Sequence, residues 1–225
     1  MKYDHVEPAV FLSRPNRFVA RVERRGQVET VHVKNTGRCR ELLVPGSEVY
    51  LSKAENPNRK TAYDLIAVRK QDGVLFNIDS QAPNAVVREY LEQQSYDLVR
   101  PEYSYGDSRI DFYLTRGEER FLLEIKGCTL EREGVGYFPD APTERGVKHL
   151  RELIRAQREG FGCAVGFVIQ MDGVSVVLPN DETHPEFGSV LREAMAAGVE
   201  VQYYLCHVEP DELKIVRRVT AKTLD

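Results

Sequence analysis

Asp111, Glu124 and Lys126 are the residues of this chain whose types and spacing suit chemistry. Asp111 stands in Arg109-Ile110-Asp111-Phe112-Tyr113-Leu114, and the other two in Phe121-Leu122-Leu123-Glu124-Ile125-Lys126. Both segments are short, apolar and rich in β-branched or aromatic residues, as strands are. The link between them, Thr115 to Arg120, is polar and contains a glycine, as a hairpin connection should. Side chains alternate faces along a strand, so Glu124 and Lys126 share one face, about 6–7 Å apart. An antiparallel neighbour then brings Asp111 beside them. Two carboxylates and an amine on an apolar sheet are costly unless paired, solvated or bound to a metal. The set suits a divalent cation and a phosphodiester. Magnesium takes oxygen ligands in near-octahedral geometry. Asp111 and Glu124 each offer one, and the Ile125 carbonyl a third. A bound metal stabilises charge on a phosphate and lowers the pKa of a water. Lys126 can orient that water or neutralise developing charge.

The flanking segments offer further groups. Glu89 is expected to be a third acid that binds the metal or positions water, with Glu92 and Glu102 as alternatives. Arg145, Lys148 and His149 fall in the first two turns of a helix, where basic residues suit an incoming phosphate. Gly146 beside them suggests a close backbone approach. Tyr137-Phe138-Pro139 reads as a packed loop. Nearer the start, Arg14, Arg17, Arg21, Arg24, Arg25, Lys34, Arg38 and Arg40 crowd one stretch, opposed there only by Glu23 and Glu29. Screening confines surface fields to about 8–10 Å, so this local excess outweighs the net charge of −4. It fits a nucleic-acid backbone, and equally the solvated face of a small β domain.

Positioning these groups requires two kinds of structure. The first eighty residues are β-rich, with strands expected at Arg17–Glu23, Val28–Lys34, Glu48–Lys53, Tyr63–Lys70 and Val74–Asp79. Turns are expected at Arg25-Gly26, Pro45-Gly46, Asn56-Pro57-Asn58 and Asp72-Gly73. A short helical or irregular piece, Arg38–Leu43, follows Asn35-Thr36-Gly37. The pattern fits a compact barrel of the oligonucleotide-binding (OB) type, a small sandwich or another small barrel. Beyond Ser80 the period changes. Asn84 is expected to cap a helix running to Gln93 or Gln94, with Val86, Val87, Tyr90 and Leu91 on its apolar side. A strand at Leu98–Tyr105 and the Asp111 and Glu124 strands follow. Thr143 then caps a helix through Glu159, closed by Gly160, with Val147, Leu150, Leu153, Ile154 and Gln157 as its buried stripe. Strands at Cys163–Ile169, Val174–Leu178 and Val199–Cys206 and a helix at Glu186–Ala197 complete the chain. Helices alternating with strands make this an α/β unit with the Asp111 and Glu124 strands central.

At 225 residues the chain can hold one large domain or two small ones. The apolar stretch from Cys163 to Ile169 is too short to cross a bilayer, and the first residues lack the apolar core of a signal peptide. The four cysteines form no Cys-x-x-Cys pair, which argues against structural zinc. A cytoplasmic protein without a membrane partner is expected.

These residues resemble the sugar fermentation stimulation protein A family over nearly the whole chain. The most specific stretches are Arg109-Ile110-Asp111-Phe112, Glu124-Ile125-Lys126 and the run from Gly136 to Leu150. The resemblance implies an amino-terminal OB-fold-like β-barrel over residues 1–80 and a PD-(D/E)XK nuclease-like domain over 81–225, a central mixed sheet flanked by helices. It also implies DNA binding. In that nuclease pattern Asp111 matches the lone acid and Glu124 and Lys126 the acid-x-lysine pair, while Glu89 is similar to the helix-borne glutamate of some branches. Ile110 stands where the pattern's name has proline. The expected function is thus DNA binding with magnesium- or manganese-dependent phosphodiester hydrolysis. The expected DNA contacts are Arg14, Arg17, Arg21, Lys34, Arg38, Arg40, Arg145, Lys148 and His149. The alternative is a non-catalytic, largely sequence-nonspecific DNA-binding regulator linked to sugar (maltose-type) metabolism. A carbohydrate-binding protein ranks behind both, since the chain has no tryptophan to stack on a sugar.

Overall fold

The barrel is closed by a long first strand. The computed structural model describes residues 1–35, 37–56 and 58–221; Thr36, Pro57 and residues 222–225, the first two inside segments noted above, lie outside the described residues. Strand β1 (Val6–Asn16) pairs with both β2 (Val19–Arg24) and β4 (Glu48–Lys53), and was not expected from sequence. Pro8 and Pro15 and its outward polar residues disguise it, because proline is rare inside paired strands. Ala9 and Phe11 nonetheless point into the core. The order β3 (Gln27–Val33), β2, β1, β4, β5 (Tyr63–Arg69) is joined into a ring by a parallel β3–β5 pairing, which makes an OB-type barrel. β6 (Leu75–Asn77) pairs antiparallel with β5. Arg38–Leu43 is irregular and turn-like.

The second sheet runs β15-β14-β12-β9-β8-β7. Its strands are β7 (Leu98–Tyr105), β8 (Ser108–Arg116), β9 (Glu119–Cys128), β12 (Gly162–Ile169), β14 (Glu200–Glu209) and β15 (Glu212–Thr220). β8 and β9 are joined by the tight turn Gly117-Glu118, with Gly117 at φ 57°. β9, β12 and β14 are parallel, while the outer pairs are antiparallel. Helix α1 (Ala82–Glu92) covers one face, with Val86, Val87 and Leu91 against Phe112, Leu123 and Ile125. α2 (Glu144–Arg158) and α3 (Pro185–Ala196) cover the other, with Leu150, Leu153 and Phe187 against Leu122, Val165 and Phe167. Both faces being covered explains why β9 and β12 are apolar along their length and do not alternate. Thr143 caps α2 by accepting from the Gly146 N–H at 3.1 Å. A Cβ on Gly146 would meet Thr143 and Phe187, so this glycine serves the cap and core rather than a ligand.

A small sheet, β10 (Leu130–Arg132), β11 (Val135–Phe138) and β13 (Val177–Pro179), sits beside the main one. It includes Tyr137 and Phe138, expected as loop; Phe138 meets Phe187 edge-on at 5.1 Å. β15 was also unexpected. The barrel is fused to the sheet rather than tethered. Gln170 Nε2 donates to Asn77 Oδ1 (2.9 Å) and to the Asp79 carbonyl (3.2 Å). Asp140 accepts the backbone N–H of Arg38. Gly37 permits that approach: a Cβ there would lie 2.0 Å from Asp140 Oδ2. Gly37→Ala is therefore expected to destabilise by about 1–3 kcal/mol. A lower urea midpoint at unchanged slope would show it; an unchanged midpoint would mean that the contact yields freely.

Candidate metal centre

The site forms where β8 and β9 part. Their pairing runs from Arg116↔Glu119 to Phe112↔Leu123, and the next step brings Asp111 level with Glu124, whose side chain meets His149 of α2. There the Asp111 carboxylate replaces a backbone acceptor. Its Oδ2 takes the Ile125 N–H at 2.7 Å, and its Oδ1 takes the Asn84 amide at 2.8 Å. The N–H and C=O of a strand residue point to the same edge, so the Ile125 carbonyl faces this gap as well. Opposite Asp111, Glu102 of β7 has φ 52°, a left-handed conformation uncommon in a non-glycine residue.

Glu124 is 2% exposed in the middle of an apolar strand. An unpaired carboxylate so placed would cost several kcal/mol. Two groups compensate it, both through Oε1: the Lys126 amine at 2.5 Å and the His149 Nδ1. Arg145 Nε donates to the other ring nitrogen of His149 at 3.3 Å. A guanidinium only donates, so Nε2 accepts and Nδ1 carries the hydrogen given to Glu124. Glu124 Oε2 is buried and has no partner among the described residues. The donor set therefore fits a hard cation: an orphaned carboxylate oxygen, a second carboxylate opposite, and a carbonyl in the same gap.

The two acids are pushed apart. Burial and the neighbouring Glu124 charge raise the Asp111 pKa, against the Ile125 N–H, Lys126 and Asn84. Burial also raises that of Glu124, but Lys126 and His149 overcome it and hold the carboxyl below its ordinary value. Two converging acids of this kind invite either a proton or a cation.

Three expectations change on geometry. Glu89 is outside the site: it pairs with the Met1 amine at 2.7 Å, and that amine donates to the Leu213 carbonyl on β15. Its alternatives Glu92 and Glu102 pair outward with Arg88 and Arg109. Asn84 is no cap; α1 starts at Ala82 because Pro83 suits a first turn, and Asn84 is the helix residue that reaches Asp111. His149 is 4% exposed, so it supports Glu124 and cannot meet DNA directly. Nothing in its sequence context marked this except its helical register with Arg145.

The basic residues divide similarly. Arg14 is fixed beneath the barrel surface, donating to the carbonyls of Arg17, Asn35, Gly37 and Arg38. Lys34 is paired at 2.9 Å with Asp79, which is fully buried. Arg17, Arg21, Arg38, Arg40, Arg145 and Lys148 are exposed, with Lys148 Nζ held by the Asp107 carbonyl at 2.8 Å. A second group, Glu144, His184 and Glu186, has ligand-type atoms within 4.8 Å of one another, but His184 is accounted for by the Thr143 N–H and Glu144.

Comparison with known proteins agrees with this architecture. Residues 12–78 match the SfsA N-terminal OB domain, and residues 81–212 the sugar fermentation stimulation protein RE domain. A sugar fermentation stimulation protein homolog of Desulfitobacterium hafniense is 49% identical, covering 100% of both chains. The homolog of Ruminiclostridium cellulolyticum is 44% identical over 99% of this chain and 100% of its own. A solved structure, Pyrococcus furiosus SfsA in complex with Ca2+, superposes with a TM-score of 0.84 at 27% identity, covering 98% of this chain and 95% of that one.

The acid pair generates a prediction with a definite sign. A folded pKa raised above the unfolded value gives stability that is complete below the unfolded pKa and lost as pH rises through the folded one. Asp111 is such a group, and Glu124 is the reverse. Without metal, Asp111→Asn should be more stable than the parent at pH 7 and lose that advantage in acid below the carboxylate range. Urea unfolding at the two pH values measures this; no gain at pH 7 would contradict it.

Proposed function

The chain belongs to the sugar fermentation stimulation protein family, and we propose that it binds DNA and hydrolyses its phosphodiester bonds at a magnesium- or manganese-dependent site. The supporting observation is the buried, unpartnered Oε2 of Glu124, with the Asp111 carboxylate near enough to feel its charge. Asp111, Glu124 and the Ile125 carbonyl would hold the ion, which supplies charge stabilisation and a more acidic water. Lys126 is close enough to Glu124 to hold a proton-bearing amine at the reacting phosphate. His149, oriented by Arg145, and Lys126 engage Oε1 of Glu124 and leave Oε2 free for the ion, while β8 and β9 carry the two acids. The calcium named with the Pyrococcus relative is consistent with an oxygen-rich cation site.

A second reading is a non-catalytic DNA-binding regulator. Its support is the exposed arginine cluster on the barrel, which stands independently of the acids.

The two separate in one experiment. Labelled DNA with magnesium or manganese should be cut by the parent and not by Glu124→Gln or Lys126→Ala. The same ions, at a hundred times their Kd, should raise the parent's Tm by about 5–10 °C and leave that of Glu124→Gln unchanged. His149→Gln should lower cleavage about 10–100-fold, as loss of a group that orients a metal ligand does. Cleavage that survives Glu124→Gln would exclude this site, and DNA binding without product would leave the regulator.

A further inference from the structure

Arg17, Arg38 and Arg40 line one hollow of about 520 Å3 on the barrel, with Arg14 in its floor. Its described lining residues contribute four guanidinium groups and no carboxylate. None of Arg17, Arg38 and Arg40 pairs with an acid among the described residues. Arg14 spends its donors on four carbonyls and so fixes the loop that carries Arg38, leaving three cations turned to solvent. Such a row attracts a polyanion.

One feature says which one, and a second says where it lies. Phe18 sits next to Arg17 at the tip of the β1–β2 hairpin and is 52% exposed. The Arg17 guanidinium lies over its ring at 5.6 Å. An exposed aromatic face beside a cationic groove is of use to a base only when that base is unstacked. The second feature is the position of the hollow relative to the candidate metal site. Gly37 walls both the arginine hollow and a smaller one of about 160 Å3, lined by Tyr137, Asp140 and Gly127. Gly127 adjoins Lys126. Ala141, in the arginine hollow, is four residues from Arg145, so chain length alone keeps the two within about 14 Å.

We propose that the arginine groove takes the backbone of single-stranded DNA, stacks a base on Phe18, and leads the strand toward Asp111 and Glu124. The last clause rests on the nuclease reading; the strand preference does not. Phosphates then lie on Arg17, Arg38 and Arg40, while Asp140, engaged by backbone N–H groups, holds the barrel loop in line with the site.

The test measures anisotropy of a labelled 20-nucleotide DNA, single-stranded or annealed to its complement, with the full chain in EDTA. The single strand should bind at least about 10-fold tighter, because stacking adds to charge. Arg38→Ala and Arg40→Ala should each reduce the slope of log K against log salt by about 0.7. Phe18→Ala should weaken the single strand at least about 5-fold and leave the duplex unchanged. All three side chains are exposed, so the folded state keeps its core. Equal or tighter duplex binding, or indifference to Phe18→Ala, would overturn the inference without touching the metal site. Single-strand preference with no metal-dependent cleavage would uphold it and remove the nuclease reading.

Discussion

A carboxylate has been placed where an apolar side chain would be expected, and its neighbours are arranged around that fact. Glu124 lies in a central strand with helices on both faces of the sheet. Burial there costs more than any one surface ion pair returns. Lys126 on the same strand and His149 on α2 supply compensation from two elements, and Arg145 fixes the tautomer that His149 needs. All of this reaches a single oxygen. The other is left bare, which makes the pocket electrostatically incomplete by construction.

Asp111 answers that incompleteness from the adjoining strand. Its carboxylate stands in for a ladder bond where β8 and β9 diverge, so the sheet's own irregularity makes the room that the site occupies. The left-handed backbone of Glu102 on the other side shows that β7 also departs from regular geometry at that level. Strain of this kind persists only where surrounding structure enforces it. Asp111 itself is held by Asn84 of α1 and by the Ile125 N–H of β9.

The acid, acid-x-lysine set was legible because it combines period-two strand patterning with polar residues that the pattern does not tolerate. The barrel was legible from turn chemistry, but its first strand was hidden by prolines and charged outward residues. Glu89 looked equivalent to a ligand because sequence gives its helix but not its rotation against the sheet; Asn84, one and a half turns earlier, has the side that faces the site. His149 and Arg14 were misread for a related reason. A polar residue is assigned to the surface by default, and only tertiary contact reveals that one is buried against Glu124 and the other is knotted into four carbonyls. β15 and the small β10-β11-β13 sheet depend on long-range pairing, which leaves little trace in a local pattern.

Both apolar cores run through the boundary between barrel and sheet. One joins Phe11, Leu65 and Phe76 to Ile110 and Phe187, and the other joins Tyr50 and Ile66 to Val86 and Tyr204. Neither half keeps its interior when cut from the other. Inheritance should accordingly have transmitted the pair as one indivisible piece: recombination that exchanged the barrel alone would expose half of each core, and the chimera would aggregate before its chemistry could be selected.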